Sequence, residues 1–311
     1  MERRPIFIGG LDRSGKTLMR LSLSSHPNIV MTRRTYMWTR FYRRYGDLRH
    51  PANFERCLTA MLIHRPMRVL KPDSDRIRRE FWHGEPTYAR LFALFHQHYA
   101  ERMGRPRWGD QLGFVERYAD AILAAYPTAR IIHMIRDPRD RYGDSRSPAR
   151  PRLRMSSGKV GEDTARWLCS VALAKRNEHQ YPGRYKIVHY EPFMARREES
   201  LRGVCAFINE DFVPAMLTLD GAIGFGESGG DGRPGLDKVM AAARTAASPA
   251  ISTSEKAFIQ AYAGRAMAAQ GYLLEPIRWS VGQRLVFCFA DWPLSLARMV
   301  AWRAFDARRP V

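Results

Sequence analysis

Ile6-Phe7-Ile8-Gly9-Gly10-Leu11-Asp12-Arg13-Ser14-Gly15-Lys16-Thr17 decides how the rest of the chain is read. The apolar run Pro5-Ile6-Phe7-Ile8 reads as a strand, and Gly10–Thr17 fits G-x-x-x-x-G-K-[ST] in full. The run that follows, Leu18 to Ser25, reads as a helix. Strand, glycine loop and helix in that order make an anion site. Loop N–H groups and the positive end of the helix dipole converge on one point, and glycine lets the backbone come close. Lys16 adds a point charge and Arg13 a planar fork of donors.

Working outward, Arg130–Ile135 and Tyr185–Tyr190 read as two further strands, with helices near 115–126, ending at Pro127, and over 162–180. Strands alternating with helices predict the α/β class: a three-layer α/β/α P-loop-type fold with a central parallel sheet. Residues 36–100 carry many aromatics (Trp38, Phe41, Phe81, Phe92 and Phe95 among them), which either pack as helical cores or line an apolar acceptor pocket. Residues 144–161 read as a mobile loop, and the glycine-rich stretch 221–235 as a loop or lid. The expected division is a main domain over 1–276 and a C-terminal amphipathic helical extension over 277–311. The extension mixes Leu285–Phe289 and Leu294–Phe305 with Arg298, Arg303, Arg308 and Arg309. It suits a docked amphipathic helix or peripheral contact with an anionic membrane.

The formal net charge of +20 favours anionic partners. Only seven of the 51 basic residues are lysine, so the arginine enrichment runs chain-wide. The basic residues are scattered and form no nucleic-acid motif, so no nucleic acid is expected as partner. The four cysteines (Cys57, Cys169, Cys205 and Cys288) lie far apart among apolar neighbours, which predicts buried free thiols in a reducing compartment. The N-terminus runs straight into a strand with no signal peptide, and no apolar run approaches the ~20 residues of a membrane span. A cytoplasmic location is expected.

The strand Arg130–Ile135 leads into Arg136-Asp137-Pro138-Arg139-Asp140, read as a turn. Arg136, Arg139 and Arg141 describe a second anion site, suited to a nucleotide with an extra 3′-phosphate. The loop alone would favour a magnesium-dependent P-loop kinase or NTPase, with Asp137 as a candidate metal ligand.

Taken together, Asp12-Arg13-Ser14-Gly15-Lys16-Thr17-Leu18, Ser24-Ser25-His26-Pro27, Trp108-Gly109-Asp110-Gln111, Arg136–Asp140 and Tyr190-Glu191 resemble the sulfotransferase family. The likeness is to its bacterial and tyrosylprotein-type branches, and it spans about residues 5–215. It implies transfer of a sulfuryl group from 3′-phosphoadenosine-5′-phosphosulfate (PAPS) to a hydroxyl or amine of a small-molecule, glycan or lipid acceptor. PAP is then the product, and no metal is required. It implies that Arg13, Ser14, Gly15, Lys16, Thr17 and Leu18 bind the 5′-phosphosulfate, that Arg136 and Ser145 hold the 3′-phosphate, and that Tyr190 lies by the adenine. Asp144 stands one position before Ser145, in the register where relatives carry serine, so either residue could face that phosphate. Lys16 and Arg13 would meet the charge on the leaving phosphate. Arg34 stands where relatives often carry a glutamate base, so the base is open among Asp12 in the loop, Asp110 in the second family-like segment, and His50 and His64 in the presumed acceptor region.

Overall fold

The computed structural model describes residues 4–145, 160–222 and 251–307. Most of the loop read over 144–161, nearly all of the stretch 221–235, and Arg308 and Arg309 lie outside them.

A sheet of five parallel strands forms the middle layer, in the order β2-β3-β1-β4-β5. The strands are β1 (Ile6–Gly9), β2 (Ile29–Arg33), β3 (Arg107–Gln111), β4 (Arg130–Ile135) and β5 (Tyr185–His189). Between β1 and β3 lie helices α1 (Lys16–Ser24), α2 (Pro51–Ile63), α3 (Arg65–Arg68), α4 (Ser74–Phe81) and α5 (Tyr88–Arg102). α6 (Val115–Ala125) precedes β4, and α7 (Pro138–Ser145) and α8 (Val160–Gln180) precede β5. α9 (Tyr190–Ala195), α10 (Arg197–Ile208) and α11 (Ala215–Thr218) follow.

The period-2 alternation of the strands sorts their side chains between two cores. Phe7, Val30 and Ile131 join Phe92 of α5, Val115 of α6 and Trp167 of α8 on one face. Ile6, Ile8, Met31 and Ile132 join Leu21 of α1 and Leu201 of α10 on the other. Both faces are covered, as an all-parallel sheet requires.

β2 and β3 were not evident in the sequence, and Asp110 shows why. A carboxylate in Trp108-Gly109-Asp110-Gln111 breaks the apolar run, yet Asp110 is only 1% exposed. Its burial is tolerated because the Thr32 and Thr35 hydroxyls donate to its two oxygens. The Arg-Asp-Pro-Arg-Asp segment also differs from the expected turn. Pro138 opens α7, where its fixed φ and missing N–H suit a first helical position. The aromatics of 36–100 mostly settle as core: Trp38, Phe41, Phe81, Phe92 and Phe95 are buried, and Phe54 stacks on Phe81 with centroids 4.2 Å apart. Cys57 and Cys205 are buried free thiols, but Cys169 is half-buried and Cys288 is exposed, contrary to expectation.

The C-terminal segment brings a larger correction. Val281–Ala307 is a single helix long and apolar enough to cross a membrane. Arg284, Asp291, Arg298, Arg303 and Asp306 break up the apolar residues and hide the segment in the sequence. Ser280 caps the helix reciprocally with Gln283, and a π-helical turn at Phe287–Asp291 carries it on. Ser295, Met299, Trp302 and Asp306, at i, i+4, i+7 and i+11, form the buried stripe that rests on α8. At the crossing, a Cβ on Gly161 of α8 would sit 1.8 Å from the Ser295 carbonyl oxygen, so glycine is required there. Arg117 of α6 donates to the Asp306 carboxylate and fastens the far end.

Candidate active site

The loop after β1 lies where the chain switches direction across the sheet, at the C-terminal ends of β1 and β3. Gly10, Leu11, Asp12, Arg13 and Lys16 line a pocket there, joined by Gly113 and Phe114 from the β3–α6 connection. Arg141 and Ser145 of α7 and Asp163 and Arg166 of α8 complete it. Gly15 caps α1 at φ +89°, and a Cβ there would lie 2.4 Å from Tyr190 Cδ2, so loop and tyrosine are packed against each other.

Lys16 is buried. Its Nζ donates to the Gly10 carbonyl at 2.6 Å and lies 3.6 Å from the Asp12 carboxylate. Burial pulls the Lys16 ammonium below its ordinary value, and Asp12 and Glu116 oppose this only in part. Burial pushes the Asp12 carboxyl up, but Lys16, Arg34 and Arg141 more than offset it and hold the group low. Ser14 Oγ donates to the Leu11 carbonyl at 2.6 Å, which braces the loop. Thr17 is exposed on the first turn of α1, while the Leu18 side chain is in the core.

Arg136 meets this loop from β4. Its Nη1 donates to the Arg13 carbonyl at 3.0 Å and to Asp144 Oδ2 at 2.5 Å, and its guanidinium lies 4.4 Å from the Tyr190 ring centre. The Arg136 peptide is pinned in turn, because Trp167 Nε1 donates to its carbonyl at 2.9 Å. Ser145 Oγ donates to the Tyr142 carbonyl at 2.7 Å. Arg136, Asp144, Ser145 and Tyr190, all far from the glycine loop in the chain, are therefore gathered around it.

Other predicted residues are placed elsewhere. Arg139 does not join Arg136: it grips both Asp137 oxygens, at 3.0 and 2.6 Å, and reaches Gln260 and the Leu273 carbonyl. The reason is local, since the first turn of α7 brings the two side chains together, and the same contact commits the Asp137 carboxylate. Asp110 is absent from the pocket lining and is enclosed by its threonines, with its carboxyl pushed up by burial to about 6. Arg34, at φ +51°, puts Nη2 3.8 Å from Asp12. His26 ties the end of α1 to the segment after α10, with its ring between the Asn28 N–H and the Asp211 carbonyl. Asp163 and Arg166 were missed by sequence reasoning. Their i, i+3 spacing on one helix face was the available signal, but only the fold shows that this face meets the loop and that Asp163 accepts from Arg141.

Residues 5–214 match the sulfotransferase family, and the chain belongs to it. It is thus an enzyme that transfers sulfuryl groups, and the kinase alternative gives way. Among solved structures, it is similar to the sulfotransferase domain of the olefin synthase from Synechococcus PCC 7002, at 19% identity and a TM-score of 0.53. That match covers 88% of this chain and 97% of the other. The sulfotransferase domain from the curacin biosynthetic pathway aligns at 19% identity and a TM-score of 0.54, covering 88% of this chain and all of the other. These likenesses show a shared fold. No curated protein matches the sequence.

Proposed function

We propose that the enzyme takes its sulfuryl group from PAPS and delivers it to a hydroxyl or amine of a small-molecule, glycan or lipid acceptor. The observation that carries this reading is the convergence of Arg136 and Tyr190 on the glycine loop, at the Arg13 carbonyl and at Gly15. Lys16, Arg13, Arg141 and Arg166 line the same pocket against only two carboxylates, Asp12 and Asp163, a donor set that fits a polyanion. PAPS, when bound, supplies the activated sulfuryl group and an adenosine bisphosphate leaving group.

The loop N–H groups and the α1 N-terminus would orient the phosphosulfate end, with Lys16 released from the Gly10 carbonyl to meet it. Arg13 and Lys16 would stabilise the charge that grows on the departing phosphate oxygen. Arg136 would hold the 3′-phosphate and Tyr190 would face the adenine. Of the candidate bases inferred from the sequence, Asp12 is the one that lines the pocket. Held low by its cationic neighbours, it is a weak proton acceptor, which suits an amine or an acidic hydroxyl better than a simple alcohol.

Calorimetric titration tests the donor assignment. PAP without metal is expected to bind at micromolar affinity or tighter, and Arg136→Ala to weaken it by about ten-fold or more. Indifference to PAP alongside tight, magnesium-dependent ATP binding would overturn it.

A further inference from the structure

The C-terminal helix lies beyond the residues that carry the family match and is anchored by a single stripe. At about 100° per residue, the face opposite Ser295, Met299 and Trp302 falls on Pro293, Ala297, Val300, Ala301 and Ala304. All five are exposed and uncharged. Earlier on the helix Val286 is 56% and Phe289 80% exposed. An uncharged face of this length is left without protein cover among the described residues, although the helix is held firmly along its other side. Arg278 and Arg284 before the stripe and Arg303 near its end are exposed and form a basic rim.

Two kinds of partner suit an exposed apolar face, a second copy of the chain or a lipid surface. Charge separates them. A second copy would press the same basic rim, on a chain of formal charge +20, against itself. An anionic bilayer offers the opposite sign and an apolar interior at the same depth. The docked stripe and the Arg117–Asp306 contact keep the helix along the body of the protein, lying on a membrane rather than crossing it.

We propose that Val281–Ala307 is an interfacial anchor that lies flat on an anionic membrane. Its outer face, with Phe289 and Val300, is buried at the boundary between headgroups and acyl chains, and Arg278, Arg284 and Arg303 contact lipid phosphates. The anchor rests on α8, the helix that also brings Asp163 and Arg166 to the pocket, so membrane contact and active site share one rigid element.

Vesicle flotation of the full chain tests this, with phosphatidylcholine alone and with phosphatidylcholine containing phosphatidylglycerol. Binding to the anionic vesicles alone is expected. A Phe289→Ser/Val300→Ser double variant keeps the charge and alters only exposed positions. It should bind about ten-fold or more weakly while its melting temperature stays unchanged. Three results would overturn the proposal: no flotation with anionic vesicles, equal flotation of the variant, or a concentration-dependent dimer that the variant abolishes.

Discussion

At the scale of single residues, the site is governed by how its charges are compensated. Lys16→Ala removes a cation placed for the leaving group and should lower turnover by about 10²–10³-fold, the usual cost of one such contact. A steady-state assay that found near-normal rates would remove Lys16 from the mechanism. Only the protonated form of Lys16 carries charge, so activity should fall as pH rises through its depressed pKa. Asp12→Asn deletes the first of the charges that raise that pKa, so the alkaline limb of the pH–rate profile should move to lower pH. A limb that stayed put would mean another group sets it. Asp144 occupies Arg136 at 2.5 Å, in competition with any phosphate. Asp144→Asn is therefore expected to tighten PAP binding by about three- to ten-fold, whereas weaker binding would show that Asp144 orients the arginine. Asp110 acts on stability instead. Its carboxyl rises from 3.8 to about 6 on folding, a destabilisation of order 3 kcal/mol once it is ionised. The raised pKa favours the protonated form, so the penalty is absent below the unfolded value and complete above the folded one. Asp110→Asn lacks this loss, and its melting temperature relative to the parent should climb between about pH 4 and pH 6.

At the scale of elements, two glycines carry more than flexibility. Gly15→Ala forces a side chain at φ +89° into the Tyr190 ring. The strain is of order 1–3 kcal/mol, and the displaced ring loses its seat beside Arg136. PAP affinity should fall further than stability does, and the reverse ranking in calorimetry and thermal melts would deny the loop–tyrosine contact a binding role. The elements also show what a single sequence can convey. The loop was legible because its residue types and spacing dictate their own local geometry. β4 was legible as an apolar run, β5 as a stretch of aromatic and β-branched residues stopped by Glu191-Pro192, and α6 and α8 as helices. β2 and β3 were not, because Thr32, Gly109 and Asp110 satisfy one another only after the strands have paired. Arg139 escaped for a similar reason: nothing in an arginine-rich turn says which cation faces the ligand and which turns back on Asp137.

At the scale of the whole molecule, the C-terminal helix, α8 and the pocket form one connected body. Gly161→Ala would drive a methyl group into the Ser295 carbonyl. Overpacking of this kind typically costs about 1–3 kcal/mol, so the helix should splay from α8 and expose Trp302 to solvent. Tryptophan fluorescence quenching and faster proteolysis after residue 277 would report it, and unchanged protection would mean that α8 shifts to absorb the methyl. The pocket illustrates the same dependence on assembly. Asp163 and Arg166 acquire meaning only when α8 is laid across the sheet.

The strand order has a further consequence, for how the chain acquires its form. β1 is synthesised well before both of its partners, Gly109–Gln111 on one side and Arg130–His133 on the other. Its edges stay unpaired until those distant segments arrive, and closing such long loops must precede any reward from pairing. During synthesis the nucleotide loop therefore exists as sequence well before it exists as a cradle, and Ile6-Phe7-Ile8 spends that interval as an exposed, adhesive edge.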